Sequence, residues 1–187
     1  YGVFGVMAPG LFGFGVTVAL DRGRGWLDLK RAMPMPPGAW LAAKLAMAVL
    51  FAAVVFAIMA VVAVTFGGVR MPWPAWALLF VVDAAGVLPF CALGLFLGSV
   101  VGGQGAPAVA NLVYLPMAFL SGLWFPLALL PPLVGQLALL WPAYHLGKLG
   151  LAAVGQGSAS GAGWSVLALV ATTVLFLVLA RWRLARG

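Results

Sequence analysis

The sequence contains few charged residues, and acids are the scarcest of them. Ten lysines and arginines and three acids make up 7% of its 187 residues, whereas about a quarter of the residues of a soluble domain are charged. So few charges cannot cover a water-soluble particle of this size, which excludes a soluble enzyme and a nucleic-acid-binding module. The single cysteine, Cys91, can form no disulfide within the chain, so a disulfide-stapled secreted domain is excluded as well.

Motifs for catalysis, nucleotide binding and metal binding are absent from the sequence. It has no G-x-x-x-x-G-K-[ST] segment that could hold ATP phosphates, and neither an H-E-x-x-H nor a G-x-S-x-G motif. The single histidine, His145, has no other metal-ligating residue at a suitable spacing. We therefore predict that the protein is not an enzyme, and that this chain has no catalytic residues, no metal site and no bound cofactor.

Apolar residues, by contrast, dominate the sequence. They form 65% of it, and the mean hydropathy is +1.18. A helix needs about 20 apolar residues to cross a bilayer, and runs of this kind recur along the whole chain. We therefore predict an all-α, polytopic membrane protein with one transmembrane domain over residues 1–187. Its five transmembrane helices are expected at about 1–20, 40–66, 77–98, 106–122 and 163–180.

The distribution of positive charge predicts the topology. Half of the cations lie within residues 22–44, and three more close the chain at Arg181, Arg183 and Arg186. Cytoplasmic loops of membrane proteins carry an excess of lysine and arginine. We therefore expect a multi-pass protein of the cytoplasmic membrane, with the segment 21–37 and the C-terminus in the cytoplasm.

Residues 123–150 begin with an apolar run that prolines interrupt repeatedly. If this run crossed the membrane, the basic C-terminus would lie outside, against the positive-inside bias. We therefore predict a re-entrant helical hairpin on the outer side. Its irregular backbone must then be covered by protein or face a water-filled cavity.

The first polar segment carries an apolar stripe among its charges. Trp26, Leu29 and Met33 fall at i, i+3 and i+7, which is a helical spacing, and Pro34 ends the helix. One interpretation is a basic loop that only sets the topology. The other is a short helix at the membrane surface that docks on a cytoplasmic partner.

Asp83 is the one acid inside an expected span. A carboxylate within the membrane is costly and is usually directed inward or paired. Asp83 therefore either takes part in a translocation path or makes a structural hydrogen bond, for example to His145 or Arg70.

Three glycines follow in the same span at a spacing of four, at Gly94, Gly98 and Gly102. Small residues at this spacing let two helix backbones approach closely. We expect tight packing of this helix, with self-association of the protein through the same face as the alternative.

Two segments of the sequence resemble the permease subunits of ABC transporters of the ABC-2 (type V exporter) class, in particular small drug-exporting permeases. The first is Arg22-Gly-Arg-Gly-Trp-Leu-Asp-Leu, followed by Met33-Pro-Met-Pro-Pro and Lys44, which is similar to the family's R-x-R-G-T-L-E-x-L, T-P-L-x-P and K. The second is Asn111-Leu-Val-Tyr-Leu-Pro-Met-Ala-Phe-Leu-Ser-Gly-Leu-Trp-Phe-Pro126, which is similar to N-L-x-x-L-P-x-x-F-L-S-G-x-x-F-P. The resemblance covers essentially the whole chain.

The sequence departs from the family pattern at two points. The family has six spans and an amphipathic helix before the first, and here that helix and the first span are absent. Because the chain starts within an apolar run that lacks the features of a signal peptide, we interpret it as part of a larger membrane domain. The family's Thr-Leu-Glu is replaced by Trp26-Leu27-Asp28, which keeps the acid but not the hydroxyl.

The resemblance implies roles for three sets of residues. The segment after the first span corresponds to a coupling helix that contacts a separate ATPase, with Arg22, Arg24, Trp26, Leu27, Asp28, Leu29, Arg31 and Met33. The outer re-entrant hairpin and its approach correspond to Pro116, Gly122, Phe125, Pro126, Pro131 and Pro142. The candidate residues of the translocation path are Asp83, Asn111 and Ser121.

The resemblance also implies partners and an activity. An ABC ATPase subunit would bind ATP and magnesium, a second permease chain would complete a homodimer in the lipid bilayer, and nucleic acid would play no part. We expect an ATP-driven exporter that moves a hydrophobic or amphiphilic drug-like compound out across the cytoplasmic membrane, as in efflux and antibiotic resistance. The alternative is a gradient-driven secondary transporter with Asp83 as its coupling acid. A third hypothesis is a membrane scaffold that transports nothing.

Overall fold

The structure is a computed structural model that describes residues 2–26, 39–158 and 160–186. Within these residues the chain is helical and contains no strand. A 3₁₀ turn at Leu127–Leu129 lies between the fourth and fifth helices, and Pro9–Val16 of the first helix is π-helical. The helices are α1 (Gly2–Gly23), α2 (Ala39–Thr65), α3 (Trp73–Val100), α4 (Ala106–Leu120), α5 (Pro132–Ala138), α6 (Pro142–Ala153) and α7 (Ala162–Arg186).

Four of these helices, α1, α2, α3 and α7, are long and apolar enough to cross a membrane. The prediction of an all-α polytopic membrane protein is therefore confirmed. At the fourth expected span, 106–122, the structure has the shorter apolar helix α4, whose 15 residues extend about 22 Å. It ends there because Gly122 adopts a left-handed conformation, with φ of 75°, which a continuing helix does not allow.

The centre of the bundle is formed by α1 and α3, which lie side by side and run in the same direction. More than half of the most apolar window of each is buried, whereas α2 and α7 are largely exposed. The outer helices therefore present their apolar side chains to lipid, which explains why a chain with so few charges exposes large apolar residues along α2 and α7.

Glycines allow α1 and α3 to touch backbone to backbone. A Cβ atom on Gly15 would lie 2.5 Å from the carbonyl oxygen of Gly94, and a Cβ on Gly98 would lie 2.5 Å from the carbonyl oxygen of Gly15. Gly102 has no atom within 4 Å of its Cβ position among the described residues. Two of the three glycines at fourfold spacing therefore serve packing within the chain.

The bundle has two chemically different ends. We call the end that holds Arg22, Lys44 and Arg181 the basic end, and the opposite end, where α1 and α3 begin, the hairpin end. The helix α7 also runs from the hairpin end to the basic end, because Ser165 contacts α6 whereas the ring of Phe176 lies 5.5 Å from that of Phe96.

The helix α4 packs against the first half of α1 through aromatic side chains. The Tyr114 hydroxyl donates a hydrogen bond to the carbonyl oxygen of Phe4 at 3.1 Å, and its ring lies 5.0 Å from the ring of Phe4 and 5.4 Å from that of Phe12. These contacts fix the end of α4 beside the start of α1.

After α4 the chain turns back toward the centre of α3. Leu146 of α6 packs on Gly86, which lies near the midpoint of α3. One turn further along α6, Gly150 faces Val3 and Leu79 nearer the hairpin end. The helix α6 therefore runs from the middle of α3 back toward the hairpin end.

Candidate functional site

A cavity of about 520 Å³ lies at the hairpin end, within the size range of small-molecule sites. It is lined by the start of α1, the first half of α3, the turn after α4, and α6. Most of its lining is apolar. Its lining residues are Gly2, Val3, Leu79, Asp83, Ser121, Gly122, Leu123, Pro126, Leu127, Tyr144, Gly147, Lys148, Gly150 and Leu151.

The structure brings two predicted path residues, Asp83 and Ser121, to this one cavity. Asp83 is 2% exposed and Ser121 is 5% exposed. Neither Asp83 Oδ1 nor Ser121 Oγ has a hydrogen-bond partner within the described residues. Because a buried polar atom without a partner costs about 1–3 kcal/mol, two such atoms in one cavity indicate a place where a ligand or water completes their bonding.

The structural hydrogen bond that the sequence suggested for Asp83 is not formed with either proposed partner. His145 Nε2 lies 2.9 Å from the carbonyl oxygen of Leu139, and His145 Nδ1 lies 3.4 Å from Ser165 Oγ. Arg70 is exposed in the connection between α2 and α3. His145 instead joins α6 to α7 and to the turn before α6.

The turn after α4 positions Ser121 and closes one wall of the cavity. Gly122 is required at this turn, since its φ is positive and a Cβ there would lie 2.7 Å from Leu127 Cγ. Both Pro126 and Leu127 then line the cavity, while Phe125 is half exposed and its ring lies 6.0 Å from the ring of Phe119.

The remaining prolines of the predicted hairpin mark the helix boundaries. Pro131 directly precedes α5, and Pro142 is the first residue of α6, where a missing N–H is tolerated. Pro116 lies inside α4 on its exposed side. These three prolines shape the hairpin. Of the four prolines predicted for the hairpin, only Pro126 lines the cavity.

Sequence reasoning missed two polar cavity residues, Tyr144 and Lys148. They are four residues apart on α6, with Gly147 and Leu151 on the same side of the helix. Residues three and four apart share a helix face, so this spacing was the signal that could have identified them.

Asn111 lies apart from the cavity. It is exposed on α4, and its Nδ2 donates a hydrogen bond to the carbonyl oxygen of Pro107 at 3.2 Å. It belongs to a continuous exposed stripe that we call the open face of α4: Pro107, Ala108, Asn111, Leu112, Leu115, Pro116 and Phe119.

At the basic end, side-chain contacts tie three helices together. Lys44 Nζ of α2 lies 3.5 Å from Asp21 Oδ2 of α1 and donates a hydrogen bond to Thr17 Oγ1 at 2.7 Å. Arg22 donates from Nη1 to the carbonyl oxygen of Ser99 near the end of α3. The last turn of α1, where the predicted coupling segment 21–37 begins, is therefore fixed to α2 and α3.

The predicted coupling residue Arg22 is thus bonded to α3, and the rest of the predicted coupling segment follows it. Arg24 and Trp26 are exposed there. The other predicted coupling residues lie outside the described part of the chain: Leu27, Asp28, Leu29, Arg31 and Met33. Within the described ranges, no group of three or more His, Cys, Asp or Glu residues could hold a metal ion.

The sequence of this chain is similar to that of a known family of membrane proteins. A family model described as ABC-2 type transporter matches residues 2–154, from the start of α1 to the end of α6. A Bacillus subtilis (strain 168) protein named "Putative transport permease YvfS" is 26% identical over 185 residues, which are 96% of this chain and 73% of that protein. No solved structure matches the chain significantly.

Proposed function

Since this chain belongs to the ABC-2 type transporter family, we propose that it is the permease subunit of an ATP-driven exporter for a hydrophobic or amphiphilic drug-like compound. The family places it among multi-pass membrane transport permeases, which are not themselves enzymes, and it implies association with an ABC ATPase subunit. ATP and magnesium would be bound by that ATPase. The proposed compound leaves the cell across the cytoplasmic membrane.

The orientation follows from the charge difference between the two ends of the bundle. The basic end carries Arg22 and Lys44 as well as the cations of the last helix, such as Arg181. Because positive charge favours the cytoplasmic side, this end and the C-terminus face the cytoplasm in our proposal. The hairpin end and its cavity then face outward.

Coupling to the ATPase is assigned to the segment 21–37 in the same proposal. The contacts of Asp21 with Lys44 and of Arg22 with Ser99 anchor the segment to helices α2 and α3. A movement of this segment caused by an ATPase would therefore be transmitted through α1 to the centre of the bundle.

The observation that carries the proposal is the cavity at the hairpin end, with Asp83 and Ser121 buried in it. Its apolar walls suit a hydrophobic or amphiphilic molecule, because apolar surface removed from water contributes roughly 25 cal/mol per Å². The open face of α4 supports the proposed homodimer. This stripe presents Asn111 beside Leu112, which is 73% exposed. Because a polar amide that faces lipid is costly, a second permease chain is the better cover for this face.

The first experiment is purification of the tagged full-length protein from its native membrane in mild detergent, with mass spectrometry of the proteins that accompany it. We expect an ATPase with a nucleotide-binding P-loop in near-stoichiometric amount. The variant Asp28→Arg should lose this ATPase, and Leu27→Arg should uncouple ATP hydrolysis from transport. A matched charge reversal at the opposite end, Arg70→Glu, should keep the ATPase bound. Retention of a coupled ATPase by both altered coupling variants would contradict the assigned segment.

The second candidate function is a gradient-driven transporter, which the burial of Asp83 favours because an intramembrane carboxylate can carry a proton or an ion. This function predicts transport that needs an ion gradient and no ATPase, and that Asp83→Asn abolishes. Purification of the intact dimer without any ATPase would favour it over the exporter.

A further inference from the structure

We propose that the cavity at the hairpin end binds the ammonium group of an amine-bearing amphiphile, with Asp83 and Ser121 as the groups that hold it. This inference rests on the proposed function in one respect, because it names the chemical class of the exported compound. The binding site itself is argued from the cavity alone.

The unpartnered atoms in the cavity define what a ligand must offer. Asp83 Oδ1 and Ser121 Oγ are both oxygen atoms, both are buried, and neither has a hydrogen-bond partner within the described residues. An ammonium group has three donors and no acceptor, so it has enough donors for both oxygens. An alcohol has a single donor, and a carboxylate or phosphate would be repelled by the Asp83 carboxylate.

Charge in the rest of the cavity supports the same ligand. The one cationic side chain in the lining is Lys148, and it forms no ion pair with Asp83 or any other acid in the described ranges. Its Nζ lies toward the connection before α7, 3.1 Å from the position of a Cβ on Gly161. Within the described ranges, no side-chain cation therefore pairs with the Asp83 carboxylate.

The walls of the cavity are suited to the remainder of the ligand. Val3, Leu79, Leu123 and Leu127 supply apolar surface around the two polar atoms. An amphiphile with one primary amine and a compact apolar body would place its charge against Asp83 and its body against these side chains. A hydrated metal ion would leave the apolar walls without a partner, since hard cations prefer several oxygen ligands.

The test compares two probes that differ only in the amine. The full-length protein in mild detergent is titrated with a dansyl-labelled alkylamine and with its N-acetylated counterpart, and dansyl fluorescence reports binding. We expect the free amine to bind at least about tenfold more tightly, since charge-assisted hydrogen bonds exceed neutral ones by this order. The variant Asp83→Asn should reduce the preference to about twofold or less, and Ser121→Ala should weaken amine binding by a few fold.

The control is Thr172→Ala on α7, which removes a hydroxyl whose one hydrogen bond within the described residues goes to the carbonyl oxygen of Ala168 in its own helix, at 2.7 Å. It should bind both probes as the unaltered protein does. Equal affinity of the unaltered protein for the two probes would overturn the inference, and this outcome needs no variant to fold. A preference that survives Asp83→Asn in a monodisperse sample would also overturn it.

The outcomes separate this inference from the proposed function. Selective amine binding by a protein that purifies without an ATPase would support the binding site and contradict the proposed ATP-driven exporter. A coupled ATPase together with equal binding of the two probes would support the proposed exporter and contradict the amine as the recognised group.

Discussion

The contact between Gly15 and Gly94 permits a sharp test of how the bundle is packed. A Cβ added to Gly15 would lie 2.6 Å from Gly94 Cα, about 1 Å closer than the 3.5–4.0 Å at which two carbon atoms pack. The obstructing atoms are backbone, so no side chain can rotate away. The variant Gly15→Ala must therefore push α1 and α3 apart, and overpacking of this kind costs about 1–3 kcal/mol.

A matched control lies two residues earlier in the same helix. Gly13 is exposed and has no described atom within 4 Å of its Cβ position. The variant Gly13→Ala should be neutral or slightly stabilising, since alanine is favoured over glycine in helices by about 0.5–1 kcal/mol. The same chemical change should thus have opposite effects at two neighbouring positions.

The assay uses the single cysteine as its reporter. Cys91 is buried beside this contact, with its backbone nitrogen 3.0 Å from the position of a Cβ on Gly10. A thiol-reactive fluorophore will label it only when the bundle opens, so labelling during heating reports unfolding. At about 2–4 °C per kcal/mol, Gly15→Ala should lower the melting temperature by about 2–12 °C. Equal melting temperatures for Gly15→Ala and Gly13→Ala would refute the backbone contact.

Three further predictions concern the contacts at the two ends of the bundle. Replacing Lys44 by Met removes its ion pair with Asp21 and its hydrogen bond to Thr17. Because these contacts are only partly buried, we expect the free energy of unfolding to fall by about 1–2 kcal/mol in thermal unfolding; no change would contradict their role in holding the ends of α1 and α2 together. The variant His145→Ala leaves the Leu139 carbonyl without its partner, so hydrogen exchange measured by mass spectrometry should increase in α6 and not in α2; unchanged exchange would contradict the anchoring role. With Arg22→Gln the contact with the end of α3 is lost, and we expect lower stimulation of ATP hydrolysis by transported compound while the ATPase still copurifies.

The sequence was sufficient to predict the four long apolar helices and one half of the central packing. Long apolar runs predicted the positions of α2, α3 and α7, because the need to satisfy backbone hydrogen bonds in lipid leaves few alternatives to a helix. The spacing of Gly94 and Gly98 also predicted a close helix contact. It could not identify the partner, since a glycine spacing specifies one face of one helix; the partner face on α1 lies in the π-helical Pro9–Val16 and lacks that regular spacing.

Two polar residues of the candidate site were predicted individually, but the site was not. Asp83 and Ser121 were each identified as path residues, yet they are separated along the chain by the whole second half of α3 and by α4. They line one cavity because the turn at Gly122 and the return of α6 bring the end of α4 over the first half of α3. Asn111, predicted with them, lies on a different surface, since neighbours in a motif share a helix without sharing a face.

The π-helical stretch of α1 has a consequence for how the two ends of that helix are related. A π turn holds more residues than an α turn because its hydrogen bonds span five residues instead of four. The stretch Pro9–Val16 therefore changes the rotation about the helix axis of the residues that follow it in α1. The direction in which Arg22 points is therefore set by the number of residues upstream as much as by its own surroundings. Deleting one residue within this stretch would therefore change the rotation of the last turns of α1, and with it the contact of Arg22 with α3.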